Sequence, residues 1–311
     1  MKKIKILLFV VLLLLLGNMP APFSFGSFST LPVPVSKVPL KIKSEEITLK
    51  LSSQEVKGSA VYNILNPREE IEVGFVFPLL GEGIYYSEKD FRVYFNNKSI
   101  DSELMTLSQL NKLLGDNFTK LKDTIFSEDR AFIDPLKNIP YKPKYLDSFS
   151  LPEENYSFFF FKTHFKESEK GFLRIDFRDF PGFDRELYPE EVCHYYYIVN
   201  VKDYYDEFKN VTINIIYPES YVVSTIPEGD EKKMDSLKKI TIFMKNPDKN
   251  LSISYMENRP SSVSVYLYRK FPALYSPYLW FFMFGLLIFA GIIAIVSFVV
   301  IKIIKRRKIK K

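Results

Sequence analysis

A single cysteine, Cys193, and two histidines, His164 and His194, are all that 311 residues offer of the side chains that most often carry covalent or metal chemistry. One cysteine cannot form an intramolecular disulfide, so a bridged scaffold is excluded and the fold must rest on its core. Two histidines exclude a His-rich zinc centre. Cys193 and His194 are adjacent, but neighbours on a strand point to opposite faces, so they do not make a nucleophile and its base. Glycine is scarce, at twelve, and G-x-S-x-G, H-E-x-x-H, P-loop and dinucleotide fingerprints are missing. No cofactor, catalytic residue or metal-ligand set is assigned.

Charge is also missing from one long stretch. The 24 residues Tyr278 to Ile301 carry none and run into Lys302, Lys305, Arg306, Arg307, Lys308, Lys310 and Lys311. A helix of that length measures about 36 Å at about 1.5 Å per residue, enough to cross a hydrocarbon core of about 30 Å. Only Arg269 and Lys270 flank its other end, so the positive-inside bias puts the tail in the cytoplasm and the rest of the chain outside. Trp280, with Tyr275 and Tyr278, stands where an outer aromatic belt belongs. At the other terminus Lys2, Lys3 and Lys5 precede an apolar run, Ile6 to Leu16. That run is too short to span a bilayer and suits a signal peptide. The expected layout is a signal peptide (1–26), a Pro-rich linker (27–43), an extracellular domain (44–270), a transmembrane helix (277–301) and a basic cytoplasmic tail (302–311).

The chain counts 43 basic and 37 acidic residues. Removing the three N-terminal lysines and the seven tail residues leaves 33 against 37, about −4 for the exported part. The basicity therefore belongs to the membrane boundary, where the tail meets lipid headgroups, and nucleic acid is excluded as a partner.

What the chain has in abundance is aromatic residues, 29 Phe and 20 Tyr, set in short alternating runs. Ile47/Leu49/Leu51, Val56 to Leu65, Val73/Phe75/Phe77 ended by Pro78, and Phe91/Val93/Phe95 read as strands, with Asn96-Asn97 as a tight turn. Leu107, Leu110, Leu114, Phe118, Leu121 and Ile125 fall on one helical stripe. Thr106 and Gln109 form a capping box at its start, Gly115 breaks it, and the helical insertion spans 103–126. Phe159/Phe161/Phe165 and Leu173/Ile175/Phe177 read as a hairpin across Glu167–Gly171. Tyr195/Tyr197/Val199, Val211 to Tyr217, Ile240/Ile242/Met244, Leu251/Ile253/Tyr255 and Val263/Val265/Leu267 follow as strands. The expected fold is mainly β, an antiparallel β-sandwich, single or two in tandem.

Phe158, Phe160, Tyr196, Tyr266 and Tyr268 fall opposite the core positions so assigned and form the candidate interaction surface, unless a second layer covers them. Two acidic patches, Asp176/Asp179/Asp184/Glu186 with Glu190/Glu191, and Asp203/Asp206/Glu207, offer carboxylates for Ca²⁺ or for glycosidase chemistry, although loop carboxylates are ordinarily just solvated.

The segments Glu45-Glu46-Ile47-Thr48-Leu49, Ala60 to Pro67 and Val73 to Leu79, with the later Phe165-Lys166-Glu167-Ser168-Glu169-Lys170, resemble bacterial envelope proteins built from a signal peptide, a β-rich ectodomain and one C-terminal membrane helix. The resemblance spans about half of the ectodomain and implies no activity. The function expected is a membrane-anchored extracellular interaction or assembly module of the cell envelope. Its partner would be another envelope protein or a wall polymer. A sensory ectodomain working with a second membrane protein and a membrane-tethered hydrolase built on the loop carboxylates are the alternatives.

Overall fold

The computed structural model describes residues 28–30, 32–80, 86–115, 118–119, 132–143, 156–199, 201–271, 275 and a few isolated positions from 284 to 293. The expected signal peptide, most of the expected membrane helix with Trp280, and the tail with Lys302, Lys305, Arg306 and Arg307 lie outside them. No described helix is long and apolar enough to cross a membrane.

The chain is mainly β. Its strands are β1 (Phe28–Thr30), β2 (Val33–Pro34), β3 (Val38–Leu51), β4 (Val56–Leu65), β5 (Ile71–Leu80), β6 (Phe91–Phe95), β7 (Lys98–Ile100), β8 (Ser102–Thr106), β9 (Phe132–Asp134) and β10 (Ile139–Tyr141). The second half supplies β11 (Tyr156–Phe165), β12 (Lys170–Asp179), β13 (Gly182–Asp184), β14 (Val192–Ile198), β15 (Tyr205–Phe208), β16 (Val211–Pro218), β17 (Val222–Ile226), β18 (Asp230–Met234), β19 (Leu237–Met244) and β20 (Leu251–Met256). Two α-helices are described, α1 (Leu107–Leu114) and α2 (Ser262–Lys270).

One nine-stranded sheet runs β17-β20-β14-β1-β5-β11-β8, with β13 on β14 and β2 on β5. The other runs β18-β19-β16-β3-β4-β12-β6-β7, with β15 on β3. Pairing is mostly antiparallel, but β1 with β14 and both β15 and β16 with β3 are parallel, so the sheets are mixed. Rings from the two sheets meet in one core: Phe91 stacks on Phe159 at 4.4 Å, and Phe77 lies 5.0 Å from Phe91 and 5.2 Å from Phe177. Gly58 makes room for this packing, since a Cβ there would stand 2.0 Å from the Phe177 ring.

Local signals became local structure. Asn96 and Asn97 take φ of 49° and 67° and turn β6 into β7. Thr106 and Gln109 cap α1 reciprocally, and Gly115, with φ 52°, ends it. Four expectations need correction. The residues taken for a linker join the sheets, with Val33, Val38, Leu40 and Ile42 buried. Pro39 is tolerated because β3 begins beside β15 alone and β4 pairs only from Lys41. Pro78 does not end β5, since it falls between the β2 partner Val76 and the β1 partner Leu79. β11 and β12 are not a hairpin, because β11 pairs β5 and β8 in the first sheet while β12 pairs β4 and β6 in the second. Both strands turn their apolar side inward, so the chain crosses the core between them.

The β4–β5 connection makes the same crossing, and the two corners are tied together. Fully buried Asn66 donates from Nδ2 to the Glu69 and Lys166 carbonyls at 2.8 and 2.9 Å, and its N–H reaches the Glu169 carbonyl at 2.9 Å.

The fourth correction is the segment 263–267, which is helical. Its apolar residues alternate as in a strand, but Ser261 accepts from the Ser264 N–H, and Arg269 and Lys270 lie in the last turn. A cap at one end and cations at the other favour the helix. The chain divides at this point into two compact units, one of residues 22–186 with 190–259, the other containing 260–311. Within the second, Tyr275 stacks edge-on against Tyr268 at 5.3 Å and donates to the Ser264 carbonyl at 3.3 Å.

Candidate functional site

The densest polar chemistry lies on the outer side of the first sheet. His194 on β14 stands in register with Ser254 on β20, which pairs with Ser224 on β17. His194 Nδ1 is 2.8 Å from Ser254 Oγ, and Nε2 is 2.9 Å from Asp184 Oδ2. The Tyr141 hydroxyl donates to the same carboxylate oxygen at 2.7 Å, and the Glu186 N–H donates to Oδ1 at 2.9 Å. Ser254 Oγ accepts the Ile133 N–H at 3.1 Å, and Ser224 donates to the Pro135 carbonyl at 3.1 Å. Phe132 meets the imidazole edge-on at 4.9 Å. Burial pushes the Asp184 carboxyl up, but the His194 ring, the Glu186 N–H and the Tyr141 hydroxyl outweigh it and hold it below the ordinary carboxylate range.

The residue types are those of an acyl-transfer triad, but the arrangement is not. Ser254 and Asp184 are fully buried, so no acyl group reaches the hydroxyl, whose oxygen already accepts a backbone N–H. One chain of bonds runs from the Ile133 amide through Ser254, His194 and Asp184 to the Glu186 amide. The network clamps the β9–β10 hairpin over the sheet. Sequence reading missed it because its members lie far apart in the chain. Cys193, on the opposite side of β14, is buried, and burial with the nearby Glu191 and Glu257 charges pushes its thiol up to about 12, so it is no thiolate.

The candidate surface aromatics are not one surface. Phe158 is fully buried, Tyr196 is buried and Phe160 is half-buried. A second layer does cover this side: α1 packs on β11, burying Leu110 and Leu114, and β9 packs on β20. Tyr266 is exposed and Tyr268 half-buried, on α2. The acidic patches are likewise dispersed. Asp176 accepts from Ser59 at 2.7 Å on the second sheet, Asp179 accepts from Tyr86 at 2.7 Å, and Glu191 pairs with Arg185 at 2.7 Å. Lys209 and Lys43 hold Glu207 at a pKa of about 2. Among the described residues no group of His, Cys, Asp and Glu could hold a metal ion.

The second sheet turns a broad face outward. Register aligns Phe243, Thr212, Glu46, Val61, Arg174 and Tyr94 in one row across β19, β16, β3, β4, β12 and β6. Phe243 is 63% exposed, Phe172 beside the row 57%, and the Arg174 guanidinium lies 4.2 Å over the Tyr94 ring. The next row, Thr241, Asn214, Thr48, Ser59 and Asp176, is polar throughout.

No family model matches the chain, and no curated protein matches it. A candidate nutrient-binding protein from Legionella pneumophila shares its fold with a TM-score of 0.52 at 14% identity, over 83% of this chain and 78% of that one. The M1 zinc metallopeptidase of Deinococcus radiodurans (TM-score 0.36, 11% identity, 70% of this chain and 43% of that one) and yeast LTA4 hydrolase (0.33, 8%, 70% and 29%) also match. The chain spans less than half the length of these two enzymes. Identities this low speak for fold alone, and scores below 0.5 carry no argument about chemistry.

One more group was illegible in the sequence. Glu45, on β3, is 1% exposed, and neither carboxyl oxygen has a hydrogen-bond partner among the described residues. It points into the core opposite Tyr62, whose hydroxyl lies 3.3 Å from that of Tyr197. Burial pushes its carboxyl well above the ordinary range, against a smaller pull from Tyr62. The bulge between Ile42 and Ser44 shifts the alternation of β3, so that Glu45 takes an inward position while Glu46 faces out.

Proposed function

We propose that the chain is a membrane-anchored extracellular module of the cell envelope. In this reading a β-sandwich is held outside the cell by a transmembrane helix over 277–301, with the tail 302–311 in the cytoplasm. The outer face of its second sheet binds another envelope protein or a wall polymer. The observation that carries the reading is an asymmetry: the first sheet is covered on its outer side by parts of the same chain, whereas the second displays Phe172, Phe243 and Val61 to solvent. An eight-strand face with exposed rings and a mixed polar surround has the character of a contact surface. The uncharged stretch before the basic tail and the resemblance to envelope proteins support the location.

Photo-crosslinking in intact cells tests it. A benzoylphenylalanine at position 172 or 243 should capture an envelope component, whereas one at exposed Ile139, on the β9–β10 hairpin, should not. Equal capture from all three positions, or from none, would refute the reading. External protease should digest the domain in the same cells, and its full protection would reverse the orientation.

A further inference from the structure

We propose that a straight row of cations on this same outer face, Lys232, Lys239, Lys50, Lys57 and Arg178, binds a linear polymer of phosphodiesters; this rests on the envelope-module reading and names the chemistry of its partner. Register places the row without ambiguity. Lys232 pairs with Lys239, Ile216 pairs with Lys239 on one side and Lys50 on the other, Lys50 pairs with Lys57, and Lys57 pairs with Arg178. Six adjacent strands therefore contribute one position each, and at about 4.8 Å per strand the row is about 24 Å long.

Glu55 neutralises one end, pairing with Lys57 at 2.5 Å and with Arg178 at 2.9 Å. Lys50, Lys232 and Lys239 form no ion pair among the described residues. The row thus concentrates positive charge on an exported domain of about −4.

Three of its cross-strand pairs are like-charged, Lys50 with Lys57, Lys57 with Arg178 and Lys232 with Lys239, an arrangement that destabilises a sheet. Edge protection explains Lys232 on the rim strand β18. It does not explain Lys50 and Lys57, which sit on β3 and β4 in the middle of the sheet. A surface that served only solvation would alternate its signs there. A line of cations on five of six adjacent strands, interrupted only by Ile216 on β16, suits an extended polyanion that lays successive phosphates along it. A flat bilayer would engage a two-dimensional patch of cations, whereas the row flanking this one is uncharged from Thr241 to Ser59 and ends in the acidic Asp230 and Asp176.

The test uses the full chain in phosphatidylcholine nanodiscs and fluorescent linear poly(glycerol phosphate). Three unneutralised lysines at about −0.7 per phosphate predict a slope of log affinity on log salt near −2. The triple variant Lys50→Gln, Lys232→Gln, Lys239→Gln should lose about tenfold or more in affinity and most of that slope. Lys112→Gln on α1 should change neither. Because the triple variant removes like-charge pairs, its melting temperature should not fall, which separates lost binding from lost folding. Binding of the triple variant within twofold of wild type would overturn the proposal. So would wild-type binding to phosphatidylglycerol vesicles without binding to the polymer. If the polymer fails while positions 172 and 243 still capture an envelope protein, this proposal falls and the envelope-module reading stands; failure of both removes both.

Discussion

Replacing Glu45 by methionine should stabilise the protein, although Glu45 is a buried residue in the middle of a long strand. The carboxyl is 1% exposed with no partner for either oxygen among the described residues, and burial raises its pKa well above the ordinary value. The sign follows from linkage. Below about pH 4.3, the ordinary glutamate value, folded and unfolded chains both hold the proton and the group costs no protonation energy. As pH rises the unfolded chain releases the proton and the folded chain keeps it. Stability then falls by about 1.4 kcal/mol per pH unit until the folded-state pKa is reached. Methionine has similar length and no polar atom to desolvate, so Glu45→Met should gain about 1–3 kcal/mol near pH 7. It should also lose the decline that begins above the ordinary glutamate value. Urea unfolding at a series of pH values, followed by near-ultraviolet circular dichroism of the tyrosines, measures both. A variant less stable than wild type at pH 7, or one that keeps the full pH slope, would show that Glu45 is ionised and paired in the core and would refute the reasoning.

Ser254→Ala should free the Ile133 amide and cost about 1–3 kcal/mol, read as faster hydrogen exchange across β9 than in the core strands. Asp184 has a depressed pKa, so its contribution is present above the ordinary aspartate value and is lost as pH falls through the folded-state value. The hairpin should therefore open first in acid, and Asp184→Asn should flatten that acid limb. Asn66→Ala, which removes three side-chain bonds, two within the β4–β5 corner and one across to Lys166, should cost about 2–4 kcal/mol in urea midpoint measurements. Phe158→Ala should cost about 3–5 kcal/mol and Tyr266→Ala within about 0.5 kcal/mol of nothing. Similar values for the two would contradict their placement in the core and on a solvent-facing helix.

What the sequence disclosed was set by the range of the interaction. A turn needing positive φ, as at Asn96-Asn97, and a reciprocal cap, as at Thr106 and Gln109, are decided within four residues and were legible. So was the inward side of β6, with Phe91 and Val93, and of β16, with Val211, Ile213, Ile215 and Tyr217. The sheet a strand joins is decided by partners far along the chain. Leu173 faces the core whether β12 pairs with β11 or with β4, so the pattern looks the same for a hairpin and for a crossing. The buried corner at Asn66 chooses between them through bonds to residues about a hundred positions away. Helix α2 shows the converse, where alternation without a neighbouring strand to pair with left capping to decide.

The same range argument explains why Phe158 and Tyr196, read as surface aromatics, are buried. A strand with rings on both sides suggests one exposed row only if nothing lies beyond the sheet. On β11 and β14 something does, namely α1 and the β9–β10 hairpin, the latter fastened by Ser254, Ser224 and Tyr141. Phe158 and Tyr196 therefore fill a second apolar layer rather than meet a partner. The second sheet has no such run of paired rings, and its outer residues, Lys50, Lys57, Thr48, Ser59 and Glu46, read individually as ordinary solvated positions. Only register shows that the lysines stand in line. The sheet face left uncovered by the rest of the chain is thus the one whose strands looked least unusual, and its line of lysines is a charge pattern across strands, invisible along any one of them.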